Sequence, residues 1–169
     1  HVIAWNGTSA GWLGFGNDEE LCACITEATG APSTTSILAN NDLFRRHGVS
    51  NFGLVTPYTD DVQAKIIENF QKSGFHCVAE QHLGISDNFS FSEITEDLIE
   101  EMCRAVAADG AEAISIICTN MRGAALTEHL EAELGVVIYD SIAVVVRHAL
   151  ELSGIDPKRV TGWGRIFAQ

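Results

Sequence analysis

The sequence predicts an α/β fold in which a parallel sheet is covered by helices on both faces. Three observations predict it. Short β-rich apolar runs alternate with segments of helical period. Strands separated by helices of that length return in parallel, through crossovers. And 46% of the 169 residues are hydrophobic, enough to bury a sizeable core.

In chain order, Val2–Trp5 is the first strand, followed by Gly7-Thr8-Ser9 and a helix. Gly11-Trp12-Leu13-Gly14-Phe15-Gly16 reads as a flexible flap, since no G-x-G-x-x-G stands directly after a strand. Phe52–Thr56 is the next strand. Thr59 then caps a helix with Asp60 and Asp61 in its first turn and Val62, Ile66 and Phe70 on one face; Lys72 and Gly74 end it. His76–Glu80 is a strand, and a helix starts near Ser90 or Ser92, with Ile94, Leu98, Met102 and Val106 at spacing four and Gly110 as terminator. Ala113–Ile117 and Val136–Tyr139 are the last two strands, separated by a helix carrying Leu126, Leu130 and Leu134 that stops at Gly135.

The chain also repeats itself. Gly7-Thr8-Ser9 follows the first strand as Cys118-Thr119-Asn120 follows the fourth, each before a helix. Gly30 precedes Ser36-Ile37 as Gly135 precedes Ser141-Ile142, and the helices that follow end at Gly48-Val49 and Gly154-Ile155. Residues 1–48 are thus expected to be the C-terminal half of a first α/β lobe. Residues 49–154 form a second lobe and 155–169 a closing C-terminal strand segment. The second copy opens with about 63 residues that have no counterpart in the first, so a complete protein of roughly 230 residues is expected. The start on His1, directly before a strand, fits that expectation.

Composition narrows the function. Ten Lys+Arg against 23 Asp+Glu leave a net charge of −13, which repels phosphate backbones and anionic lipid. Nucleic-acid and membrane roles are therefore set aside. The uncharged stretch Val2–Asn17 is broken by Asn6, Thr8, Ser9 and four glycines, and no run approaches the roughly 20 apolar residues of a spanning helix. Five cysteines form no disulfide framework or zinc spacing, which suits reduced, cytoplasmic thiols. His47, His76, His82, His129 and His148 form no metal spacing. P-loop, Gly-x-Ser-x-Gly and His-Glu-x-x-His motifs are absent.

In open parallel sheets, ligands bind beyond the carboxyl ends of the strands. Gly7-Thr8-Ser9, Pro57-Tyr58-Thr59 and Cys118-Thr119-Asn120 fall there. Gly7 admits a close approach of the backbone, and Thr8 and Ser9 add hydroxyl donors, a cradle suited to a carboxylate gaining negative charge. Cys118, between a strand end and a helix start, is expected to have a lowered pKa and to exchange a proton at a carbon beside the carboxylate. The competing reading makes it a small buried hydrophobe. Tyr58 can reach a ligand or sit in a surface turn, and Asn88 stands in a loop before a helix, where most asparagines make turns.

Five segments occur in order: Trp5-Asn6-Gly7-Thr8-Ser9, Val55-Thr56-Pro57-Tyr58-Thr59-Asp60-Asp61-Val62, His82-Leu83-Gly84-Ile85-Ser86-Asp87-Asn88, Cys118-Thr119-Asn120 and Gly162-Trp163-Gly164-Arg165. Together they resemble the aspartate/glutamate racemase superfamily, in its branch of maleate cis-trans isomerases and arylmalonate decarboxylases. The resemblance covers essentially the whole chain. It implies two flavodoxin-like lobes related by a pseudo-twofold, with the site between them, no cofactor, and a small mono- or dicarboxylate substrate. A homo-oligomer is compatible with it.

Carried over by residue, the resemblance makes Cys118 the second-lobe catalytic cysteine. Thr8, Ser9, Tyr58 and the Thr119 amide become carboxylate ligands, and Asn88 the asparagine with which isomerases hold substrate. Racemases and maleate isomerases typically carry a first-lobe cysteine where this chain has Gly7. Glycine there, with a single second-lobe cysteine, is the arrangement of arylmalonate decarboxylases. These place glycine after their cysteine, where this chain has Thr119. The leading expectation is decarboxylation through an enediolate with Cys118 as proton donor. The alternatives are an isomerase or racemase with another group replacing the first cysteine, and an inactive carboxylate-binding homologue.

Overall fold

The computed structural model describes residues His1–Gln169. In order the elements are β1 (Ile3–Trp5), α1 (Ala10–Leu13), α2 (Gly16–Thr29), β2 (Ser33–Thr35), α3 (Ser36–His47), β3 (Asn51–Thr56), α4 (Asp60–Lys72) and β4 (His76–His82). There follow α5 (Glu96–Ala108), β5 (Ala113–Ile116), α6 (Thr127–Leu134), β6 (Val137–Asp140) and α7 (Ser141–Leu152). Short 3₁₀ turns stand at Ser90–Glu93, Ala124–Leu126, Pro157–Arg159 and Arg165–Phe167.

Both sheets are parallel. The larger has the order β4-β3-β5-β6, and the smaller pairs β1 with β2. Central β3 and β5 read as continuous apolar runs because helices cover both their faces. Phe44 of α3 is fully buried and meets Phe52, Phe70, Phe75 and Tyr139 edge-on at centroid distances of 4.8–6.3 Å. This aromatic knot ties the first repeat to the larger sheet, each ring contributing about 1.5–3 kcal/mol by burial.

The internal duplication is visible as structure. β1, β2 and α3 repeat the order of β5, β6 and α7, and α3 packs against α7. Thr35 caps α3 by accepting from the Leu38 N–H, and Asp140 caps α7 by accepting from Ile142 and Ala143. Gly30 and Gly135, equivalent in the two copies, both end a helix at positive φ (70° and 76°), which a residue with a Cβ rarely adopts.

Several expectations need correction. β2 was not anticipated, because Ser33-Thr34-Thr35 is polar; its strand geometry comes from pairing with β1 and from Thr34 and Thr35 being buried under neighbouring helices. The expected flap at residues 11–16 holds the end of α1 and the start of α2. Gly11 is buried, and its carbonyl accepts from Asn69 of α4 at 3.0 Å. The helix expected from Ser90 or Ser92 begins at Glu96, capped by the Thr95 hydroxyl. Thr59 makes no side-chain cap for α4, since its hydroxyl donates to Asp61 Oδ1 at 2.6 Å. Residues 155–169 contain no strand: left-handed Gly162 and Gly164 break the extended run, leaving two 3₁₀ turns that pack against α7 and β6.

Candidate active site

A cavity of about 610 Å³ opens beyond the carboxyl ends of β1, β3 and β5. Of the predicted residues, Gly7, Thr8, Ser9, Tyr58, Asn88, Cys118 and Thr119 line it. Asn120 does not. Its side chain turns away and donates to the Asn88 carbonyl (3.1 Å) and side-chain oxygen (3.2 Å), so it holds the Asn88 loop against the Cys118 loop.

No charged side chain lines this cavity. Polarity comes from neutral donors. The Thr8 and Tyr58 hydroxyls, both buried, share a hydrogen bond of 2.8 Å. The backbone N–H groups of Thr8 and Ser9 donate to no protein acceptor, so the chain between β1 and α1 carries free donors beside two hydroxyls. Burial, and then the neighbouring Cys118, push the Tyr58 pKa up, so the phenol keeps its proton and can donate it in a hydrogen bond.

Cys118 is 2% exposed at the cavity wall. Burial raises its pKa, opposed by the N–H groups of Asn120 and Met121 and by the Tyr58 hydroxyl. This overturns the expectation of a lowered pKa. No helix starts behind the thiol; the chain makes a turn and a bend, and regular helix resumes only at Thr127. Without a helix N-terminus there is no dipole to favour thiolate, and desolvation decides. Burial thus favours the thiol over the thiolate at Cys118. Cys22, Cys24, Cys77 and Cys103 are likewise free, and none lines the cavity.

Sequence reasoning missed the walls. Trp12 and Phe91 flank the Tyr58 ring edge-on at 5.1 and 5.4 Å, and Trp5, Val62 and Ile85 complete an apolar lining. Only the tryptophan four residues after Thr8 carried a local signal, as the next turn of the same helical segment. The one trio of potential metal ligands, Asp42, His148 and Glu151, lies elsewhere. Arg46 bridges both of its carboxylates at 2.8 Å, so their charge is already answered.

A family model described as arylmalonate decarboxylase matches residues 1–167. The chain belongs to the arylmalonate decarboxylase family. A curated relative, the arylmalonate decarboxylase of Bordetella bronchiseptica, is 27% identical over 169 residues, spanning 98% of this chain and 70% of that protein. Among solved structures, a crystal structure of arylmalonate decarboxylase superposes with a TM-score of 0.87 at 26% identity, covering 99% of this chain and 75% of that one. The maleate cis-trans isomerase of Nocardia farcinica reaches a TM-score of 0.90 at 22% identity, covering 98% and 70%. Family membership and these superpositions support the α/β architecture with parallel sheets and a place among the decarboxylases of that family, while the likeness to the isomerase is one of fold. No helix is long and apolar enough to cross a membrane.

Proposed function

We propose that this chain is a cofactor-independent decarboxylase of aryl-substituted malonates, with Cys118 as the proton donor. The observation that supports it most is the pairing of one cavity thiol, Cys118, with Gly7 in a cavity whose lining carries neutral polar groups and apolar walls but no charged side chain. On this reading residues 1–48 and 49–154 act as two lobes that share the site.

One carboxylate of the malonate sits among the Thr8, Ser9 and Tyr58 hydroxyls and the free N–H groups of Thr8 and Ser9, with the Thr119 amide across from them. The second carboxylate faces the apolar wall. Its bond to the central carbon breaks, CO₂ leaves, and the electron pair moves into the held carboxylate as an enediolate. Cys118 then passes its S–H proton to the central carbon, giving a monocarboxylate and a thiolate that solvent reprotonates.

A second reading, cis-trans isomerisation of a small dicarboxylate, draws on Asn88 being held at the cavity by Asn120. It requires a nucleophile that Gly7 cannot supply. An inactive carboxylate-binding homologue is the third reading.

Proton NMR in D₂O with phenylmalonate and maleate together, and Cys118→Ala as control, tests all three. Cys118-dependent loss of CO₂ with deuterium at the central carbon is the expected result. Fumarate formation would favour the second reading. Binding without conversion of either would favour the third.

A further inference from the structure

We propose that Trp5 is the wall that confines proton delivery to the Cys118 side of the site, because its indole fills the space over Gly7 where the counterpart of Cys118 would project. This inference rests on the decarboxylase reading for its consequence, and on the structure alone for its geometry.

Three observations lead to it. First, Gly7 and Cys118 are equivalent positions of the internal repeat, each two residues beyond the end of corresponding strands, β1 and β5. A side chain at position 7 would thus be the pseudo-symmetric partner of the thiol. Second, the two-residue alternation of an extended chain puts Trp5 and Gly7 on one face, so the tryptophan can fold back over its neighbour only if that neighbour lacks a side chain. Third, it does fold back. A Cβ added at Gly7 would lie 2.8 Å from the indole Cε2 and 3.1 Å from Cζ2, with Nε1 nearer still. Trp5 lines the cavity together with Gly7 and Cys118.

The glycine is therefore not simply an absent acid. Its place is taken by the edge of an indole whose N–H is far too weak an acid to transfer its proton to carbon. A planar enediolate can be protonated on either face, and the product is a single enantiomer only if one face is shut. The indole covers the glycine side and leaves the thiol side open. Trp5 touches no reacting bond in this scheme; it sets specificity.

Two arms test this. In the first, Trp5→Phe and Trp5→Ala are compared with the parent on 2-methyl-2-phenylmalonate, and the 2-phenylpropionate formed is resolved by chiral chromatography. Turnover is expected to persist, while the enantiomer ratio falls by about 5- to 30-fold in Trp5→Ala and less in Trp5→Phe, as loss of one or two kcal/mol of discrimination dictates. An undiminished ratio in Trp5→Ala would overturn the proposal.

The second arm needs no turnover, so it separates failure of the wall from failure of the decarboxylase reading. Gly7→Cys is made with and without Trp5→Ala, and iodoacetamide labelling of the peptide containing position 7 is followed by mass spectrometry. Labelling is expected to be at least about tenfold faster once the indole is gone, and a Gly7→Cys chain that folds only in company with Trp5→Ala reports the same overlap. Equal labelling rates would show that the indole does not cover position 7.

Discussion

Tyr58→Phe separates the hydroxyl from the ring that carries it. The ring stands edge-on between Trp12 and Phe91 at 5.1 and 5.4 Å, and phenylalanine keeps both contacts. What disappears is the oxygen, 2.8 Å from Thr8 Oγ1. Thr8 is only 6% exposed, so its hydroxyl is left without that partner and with little access to water. An unsatisfied buried hydroxyl costs about 1–3 kcal/mol. For a chain of this size each kcal/mol is worth about 2–4 °C of melting temperature, so a fall of about 2–12 °C is expected. The catalytic cost is separate. If the phenol is one of the donors to the developing enediolate, its loss lowers kcat by about 10²–10³-fold, or about 2.7–4 kcal/mol.

The assay is CO₂ release from phenylmalonate beside a thermal melt. A lowered melting temperature with an unchanged kcat would refute the catalytic assignment and leave Tyr58 a packing residue. Thr8→Val closes the cycle: the two changes together should show a coupling energy of about 0.5–3 kcal/mol, and strict additivity would mean that the hydroxyls act independently.

Three further outcomes are expected. Alkylation of Cys118 should accelerate only at a pH above that of a short peptide of the same sequence, because burial raises its pKa; an earlier rise would restore the poised thiolate. Asp140 is fully buried, with Oδ2 unpartnered and its pKa pushed up to about 7 by desolvation. The folded chain therefore binds a proton more tightly than the unfolded one, and stability falls as pH rises from about 4 to 7 and levels off above. In Asp140→Asn, which keeps an oxygen to cap α7, urea denaturation should lose that pH slope. Gly53→Ala would bring a Cβ to 2.8 Å from Val106 Cβ and Cγ2 and 3.1 Å from Ala111 Cβ. Overpacking of about 1–3 kcal/mol should lower the urea midpoint with the slope unchanged.

What was legible in the sequence follows how local its cause is. β3 and β5 are buried on both faces, so their apolar runs announce them, and the glycines that end the repeated helices do so through their own backbone. That Thr8, Tyr58 and Cys118 share one cavity was readable because strand ends of parallel sheets open on a common crevice, a rule of topology. β2 was not, since Ser33-Thr34-Thr35 becomes a strand only through its neighbours. Neither was the state of Cys118. Its pKa depends on whether a helix starts at residue 119 and on how much protein covers the sulfur, and both are tertiary facts. Trp5 shows the same limit from the other side: the residue sat in a recognised motif, but that its indole lies over Gly7 is a tertiary fact.

The absence of charge from the cavity bears on which chemistry it favours. On the proposed reading a malonate dianion entering it would meet no cation, so hydrogen bonds alone would hold it. An arginine would attract the ground-state carboxylate strongly from the start. Neutral donors discriminate better, because loss of CO₂ concentrates on one carboxylate the charge that two had shared. Each hydroxyl and N–H then faces about twice the charge it faced on binding, in a site with little water to compete. The interaction grows most where the barrier lies. In the proposed reaction, protonation by Cys118 would remove one of those charges from the cradle, and the monoanionic product would be held less tightly than the intermediate before it. A thiol that burial favours in its protonated form would suit that proposed cycle, whereas a thiolate poised at rest would add a negative charge beside the developing enediolate and lack the proton to deliver.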